Sequence, residues 1–544
     1  MTSVPSDNRS TLRSSSLMAA GTIASRITGL LKNTALLAAV GSGVFADTYS
    51  VANTLPTIVY ILLVGGAINA VFIPQLVRHM GSDDDDGLAY AQRLFSAVVL
   101  ALALITVVAV IAAPWLVQLY STGWNRNDIE VATAFARLLL PQIFFYGLFA
   151  LVSQILNTRG RFGAPMFAPV LNNVVTIASA LAFLVVAGTG TSTKTVTDTE
   201  ILLLGIGTTL GAVAQALALW PSLRRCGVRL RLRTDLKGQG LGTAWSLARW
   251  AILLVLVNQL GTLVIIRLAT GINTESNTDA GAAVYQMAFA IFMLPQSVIT
   301  VSLVTALLPH LSKQAAAGHF DIMRERVGWT LRTSGSLVVP AATAFMVLGV
   351  PISVLLFRYG SLNLEAARLL GLTLSAFALG LPAFSAYYVL MRGFYALEDT
   401  RTPTLNAIIL NGSNVVLAIS AVAWVPATIA IPALGVAYAL SYWIGLATLA
   451  PRLRRRLGGL DGYLVIRTYV RVTMASVLAA VAMLAGVLLA EALVGRAVDL
   501  TSSLVIVLTG LATGAAGYLL GVKLFRITEI SDVLRLLTGR RSTE

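Results

Sequence analysis

Two basic side chains fall inside the first long apolar stretch of the chain, Arg26 and Lys32, in the run Ser25-Arg26-Ile27-Thr28-Gly29-Leu30-Leu31-Lys32. A third, Arg267, falls inside the seventh such stretch, 241 residues after Arg26, and Asp47 stands in the short gap that follows the first. An ionisable group inside a bilayer is costly, so each is a functional candidate by default. On a helix, six residues separate Arg26 from Lys32 by roughly 9 Å along the axis and about 240° around it. The pair would therefore line a broad cavity at two depths and not one narrow face. Guanidinium and ammonium groups are natural partners of phosphate, one bidentate and the other a point charge. With no carboxylate deep in any apolar stretch, the set fits a noncovalent grip on an anion. A lipid with a phosphorylated headgroup fits well, because its tails stay in the bilayer. An exporter of drugs or organic cations would instead hold acidic residues there. The plainer readings are that Lys32 snorkels to the interface and that Asp47 is solvated outside; the functional reading pairs Asp47 with a cation on closure.

The elements that must carry these groups are transmembrane helices. The 544 residues are 57% hydrophobic and only 12% charged, against roughly 25% charged for a soluble domain. Mean hydropathy is +0.81, and many apolar runs exceed the ~20 residues that span a bilayer. In lipid the backbone must satisfy itself, which selects helices over open strands. The pattern predicts about fourteen spans, the first over 17–40, the seventh over 242–270, the tenth over 367–396 and the last over 501–524. Arginines cluster in the even-numbered gaps, as in Arg224, Arg225 and Arg229 or Arg452, Arg454 and Arg455. The positive-inside rule then puts both termini in the cytoplasm. The net charge of +15 is read the same way, as topology signal and contact with membrane phospholipids, and nucleic acid is excluded as a partner.

Other candidates carry less. Asp83 to Asp86 form a solvated loop lacking the spaced ligands of a calcium site. The single Cys226 excludes an intrachain disulfide, and His79, His310 and His319 stand apart, so no metal site is expected. No nucleotide loop or zinc-protease motif is present, and a transporter needing no cofactor is expected, not an enzyme.

Prolines reveal a duplication. Leu55-Pro56 recurs as Leu294-Pro295, Pro114 as Pro351, Leu140-Pro141 as Leu381-Pro382 and Pro165 as Pro403, at offsets of 239, 237, 241 and 238 residues. The expected organisation is a tail over 1–16, a first six-helix unit over 17–222, a basic linker over 223–241 and a second unit over 242–450. A basic loop over 451–466, two further spans within 467–524 and a tail over 525–544 complete it. Six is even, so the units are parallel repeats. The fold class is an all-α polytopic membrane protein, with two lobes around a central cavity plus two C-terminal helices. Alternating access by rocking one lobe against the other follows as the expected mechanism. Intramembrane amides, among them Asn172, Asn173, Asn258, Gln259, Asn411 and Asn414, are expected chiefly to cross-link helices.

Several fragments then become recognisable. Ser25-Arg26-x-x-Gly29, Ala46-Asp47-x-Tyr49, Leu55-Pro56 and Phe72-Ile73-Pro74 resemble the opening of the MurJ/MviN family. So do Leu156-Asn157-Thr158-x-x-Arg161-Phe162 and Ala306-Leu307-Leu308-Pro309-x-Leu311-Ser312, and Gly393-Phe394-Tyr395 with Asp399-Thr400-x-Thr402-Pro403. The resemblance spans the chain. It implies a flippase of the multidrug/oligosaccharidyl-lipid/polysaccharide (MOP) exporter superfamily that moves lipid II, the undecaprenyl-pyrophosphate-linked peptidoglycan precursor, across the bacterial cytoplasmic membrane. It also implies that cavity cations hold the pyrophosphate, that an ion gradient or membrane potential resets the cycle, and that the cell-wall synthesis machinery is a neighbour. By residue matching, Arg26, Lys32 and Asp47 fit the family's charged positions. Members also carry an arginine near Tyr60, an acid near Gly65, and an arginine in the eighth span where this chain reads Ala288-Phe289-Ala290-Ile291. Arg267 is expected to compensate. The alternatives are a flippase for another polyprenyl-linked glycan, a cation or drug antiporter of the same superfamily, and a membrane scaffold.

Overall fold

The computed structural model describes residues 7–61, 88–159, 161, 163–226, 241–276 and 281–529, and among these every regular element is helical. The run Asp83 to Asp86, Gly65 and His79 lie outside them, as does most of the basic linker. The chain divides into two compact units, residues 1–259 and 260–544.

In the first unit, α1 (Asp7–Val40) turns at Gly41, in the left-handed region at φ 77°, into α2 (Val44–Ile61). The helices α3 (Leu88–Ile111) and α4 (Ala113–Tyr120) meet at a 68° bend, with Pro114 opening the second part. Next come α5 (Arg126–Leu139), α6 (Gln142–Thr158), α7 (Gly163–Ala187), α8 (Asp198–Leu217) and the short α9 (Trp220–Arg225). The long α10 (Leu241–Ser276) crosses the boundary between the units.

In the second unit, α11 (Ala282–Pro295) passes through a π-helical turn, Gln296–Thr300, into α12 (Val301–Ala316). Then follow α13 (Phe320–Phe357), α14 (Leu364–Ala378) and α15 (Leu381–Ala396), the last two bent by 49°. The unit ends with α16 (Arg401–Trp424), α17 (Ala427–Arg456), α18 (Gly462–Val494) and α19 (Leu500–Leu524). Among the described residues ten helices are long and apolar enough to cross a membrane, or twelve if each bent pair is one span. Outside that test stand α1, diluted by Arg26 and Lys32, and α2, which runs to the edge of the described residues.

The duplication shows in the details of each unit. Asn125 caps α5 and Asn363 caps α14 from the same extended backbone conformation, 238 residues apart. Leu140-Pro141 falls at the α5–α6 joint and Leu381-Pro382 at the α14–α15 joint. A break at such a joint leaves helix-end carbonyls without a donor from their own helix, and in lipid a neighbouring helix must satisfy them. In the first unit Thr209 of α8 donates to Leu138 O at 2.7 Å. In the second, the Trp443 indole of α17 donates to Leu379 O at 3.1 Å.

Pro165 and Pro403 also match, each the third residue of its helix, α7 and α16, whereas the other two landmark pairs diverge. Pro114 follows a sharp bend, whereas α13 runs unbroken through Pro340 and Pro351. Pro56 is absorbed within α2, whereas Pro295 ends α11 at the π-turn.

The two appended helices pack as a hairpin through small residues, as membrane helices do where no hydrophobic force distinguishes protein from lipid. A Cβ at Gly517 would collide with the Ala482 methyl of α18, and one at Gly521 with the α18 backbone at Ala475. The hairpin is fixed to α13 by two ion pairs, Arg324–Asp461 at 3.0 Å and Arg332–Glu529 at 3.5 Å.

Candidate substrate-binding site

Arg26, Lys32 and Asp47 all belong to the first unit, on two helices joined by a three-residue turn; Arg267 belongs to the second. The four thus do not form one cluster within a unit. Arg26 is exposed on α1 and Lys32 half-buried. Asp47 is neither in the gap nor solvated. It occupies the first turn of α2, fully buried, with its N–H donating to Gly43 O at 3.1 Å. Helix α2 begins earlier than hydropathy indicates because its first turn packs into the lobe beside Phe45 and Tyr49, whose rings meet Phe135 of α5.

The backbone that carries Arg26 is held from α7. Asn173 Nδ2 donates to Thr28 Oγ1 at 2.9 Å and to Ser25 O at 3.2 Å, bracketing Arg26 on either side. Asn411, 238 residues later on α16, meets α10 where a Cβ at Gly261 would strike its Oδ1, about a turn and a half before Arg267. Each repeat therefore sets an asparagine of its fifth span against the first span near the arginine. Arg267 itself is exposed on α10, and its carbonyl accepts from Thr270 Oγ1 at 2.9 Å. Asn172 ties α7 to α8 through Gln215 Oε1 at 2.7 Å. Asn172 and Asn173 thus cross-link helices, as their chemistry led one to expect, whereas Asn411 Nδ2 donates to Ala407 O of its own helix at 2.9 Å.

In the eighth span, Ala288 is fully buried and the Phe289 ring meets Phe377 and Tyr438 edge-on and Phe292 at a tilt. Aromatic packing fills the stretch where an arginine would stand in the family. Tyr60 likewise packs its ring on Tyr146 with centroids 5.8 Å apart.

One cation escaped the sequence reading. Arg392 lies half-buried on α15, its Nη2 donating to Tyr388 Oη at 2.6 Å and its guanidinium over the rings of Tyr388 and Tyr395 at 4.7 and 5.5 Å. Aromatic stacking orients the planar group and leaves other N–H donors for a ligand. The signal was present, since Arg392 falls within the predicted tenth span. Arg452 is different: its Nη1 donates to Asn406 Oδ1 at 2.6 Å, which makes it a strut between α17 and α16. No group of acidic, histidine and cysteine side chains that could hold a metal occurs among the described residues. What the arrangement offers is noncovalent: guanidinium and ammonium groups held on apolar helices, suited to an anion.

Among the described residues every regular element is a helix, and two units with matching caps and joints carry cations on apolar helices, the architecture of a membrane transporter. The fold agrees with that class. A solved MATE-family multidrug transporter of the MOP superfamily, in an inward-facing state, aligns with a TM-score of 0.61 at 16% identity, covering 80% of this chain and 96% of its own. A solved lipid II flippase MurJ, in an inward closed state, aligns with a TM-score of 0.72 at 19% identity, covering 95% of this chain and all of its own. The family model described as lipid II flippase MurJ matches residues 36–509, and the chain belongs to that family. Among its relatives, a probable lipid II flippase MurJ of Rhizobium meliloti (strain 1021) is 28% identical over 405 residues, 73% of each chain. The lipid II flippase MurJ of Burkholderia cenocepacia is 27% identical over 395 residues, 71% of this chain and 73% of its own.

Proposed function

We infer that this protein flips lipid II from the cytoplasmic to the outer leaflet of the bacterial cytoplasmic membrane, supplying precursor for cell-wall assembly. Family membership supports the substrate. One structural observation supports the mode of binding: each repeat carries an arginine on its first helix, near an asparagine of its fifth that packs against that helix. In this reading Arg26, Lys32 and Arg267 hold the pyrophosphate while the prenyl tail stays in lipid. Asp47, buried at the start of α2, pairs with a cation as the lobes rock. In this reading the arginine-rich gaps and both termini face the cytoplasm, which the positive-inside rule supports, and membrane potential or an ion gradient resets the cycle. The reading is tested by depleting the protein and measuring which lipid-linked precursor accumulates on the inner leaflet. Lipid II is expected, and accumulation of a different carrier would overturn it.

A second reading, a flippase for another polyprenyl-linked glycan, draws on the eighth span. Its aromatic packing around Phe289 replaces a charge with a surface suited to a different headgroup. The same depletion experiment separates the two.

A further inference from the structure

In the second unit a cavity of about 710 Å³ separates α18 from α15 and α17. Helix α18 packs along α13 and α19, and this space lies where a further helix interface would be. The cavity is strongly polarised along its length. On α17 its wall runs from Trp443 through Leu446 and Ala450 to Arg454, and on α18 from Met474 through Val465 to Gly462. Arg454 is the only charged residue in the lining. Its guanidinium is exposed and makes no ion pair with the described residues, and Arg455 and Arg456 stand beside it in the last turn.

We propose that this cavity is a binding site for one anionic phospholipid, with its acyl chains between α17 and α18 and its phosphate on Arg454. Three observations select this occupant. The walls run from Trp443 to Arg454 on α17 and from Gly462 to Met474 on α18, 12 and 13 residues counted inclusively, roughly 16–18 Å, close to the ~15 Å of a single leaflet's hydrocarbon. An acyl chain ends at that depth, whereas a long polyprenyl tail would leave most of itself outside. All the charge sits at one end, matching a single headgroup at one interface. An apolar void this large would also forfeit dispersion contacts along its whole lining unless hydrocarbon filled it. On the orientation proposed above, the lipid belongs to the cytoplasmic leaflet. The site itself stands independently of the flipped substrate.

Native mass spectrometry of the detergent-purified full chain tests this, using phosphatidylglycerol and phosphatidylcholine with identical acyl chains. The wild type should retain one phosphatidylglycerol in preference to phosphatidylcholine. Arg454→Ala, at an exposed position that leaves packing intact, should reduce that preference about fivefold, and Arg454→Lys should keep most of it. Ala450→Trp, which fills the cavity, should abolish retention of either lipid, whereas Arg26→Ala should leave it unchanged. Equal retention of the two lipids by the wild type would overturn the proposal. So would one-for-one displacement of phosphatidylglycerol by undecaprenyl phosphate that Ala450→Trp prevents, since the cavity would then hold a prenyl tail.

Discussion

Arg332 Nε on α13 lies 3.5 Å from Glu529 Oε1, a carboxylate that follows the last helix, and both side chains are about 15% exposed. Thr468 Oγ1 of α18 donates to the same oxygen at 2.8 Å. Ile527 anchors the segment by packing with Val339 and Val472. The end of the described chain thus ties the appended hairpin to the second repeat. Removing one partner of a buried pair strands the other charge, at about 3–5 kcal/mol when burial is complete. With the exposure left here, Glu529→Ala is expected to cost about 1–3 kcal/mol. By contrast Arg126→Ala, which breaks a largely exposed pair with Glu130, should be close to neutral. Thermal unfolding in detergent compares them, and equal midpoints for the two variants would refute the difference.

Asn173→Leu removes two hydrogen bonds to α1 on either side of Arg26, one to the Ser25 carbonyl and one to the Thr28 hydroxyl. Such bonds between membrane helices average about 0.6 kcal/mol and reach about 1.7, so folding should survive. Flipping should nevertheless fall several-fold, because α1 loses the contact that sets its register. A variant with wild-type transport and a lowered unfolding midpoint would show the asparagine to be structural only.

Arg26→Ala and Arg267→Ala should each weaken binding of the pyrophosphate carrier by about 10- to 150-fold, the equivalent of one charged hydrogen bond at about 1.5–3 kcal/mol. Lysine at either position should recover part of this, through its point charge without the bidentate fork. Titration with lipid II in detergent reads the affinities. Full binding and full complementation by Arg267→Ala would remove it from the site.

Asp499 lies outside the spans, at the start of α19, and accepts from Ser502 Oγ at 2.6 Å and Ser502 N at 2.7 Å. These bonds, helped by the nearby Arg358, hold its carboxyl below the usual carboxylate range. A depressed folded pKa contributes stability that is complete above the unfolded value, ~3.9, and is lost as pH falls through the folded one. Amide protection in the first turn of α19 should therefore hold from neutral pH down to about 4 and decline below it. In Asp499→Asn, hydrogen exchange corrected for intrinsic rates should show no such decline.

Much of the architecture was legible because the duplicated prolines announce it, yet the conformation at each proline was not. Pro114 and Pro351 occupy matching positions, but one follows a bend and the other sits in a continuous helix. Tertiary packing decides whether the released carbonyl is tolerated in place, and sequence does not display that packing. Asp47 was recognised as charged and near a turn, but the helix turn that carries it is packed on the ring of Phe135, which arrives about 90 residues later. Arg392 reads as an ordinary cation near the end of a span. Its significance comes from two tyrosines one turn to either side, whose rings clamp it only once the helix has formed.

The two proline joints carry a consequence for motion inside each unit. Thr209 holds the carbonyl of Leu138 on one side of the first joint and accepts weakly from Gln142, at 3.4 Å, on the other. Bending there must break a bond or drag the sixth span along. In the second unit one indole has the equivalent hold on Leu379. The joints therefore work as clutches: flexible by covalent geometry, but engaged by a neighbour. Hydroxyl and indole would release under different loads, giving two halves of common ancestry separate thresholds for yielding.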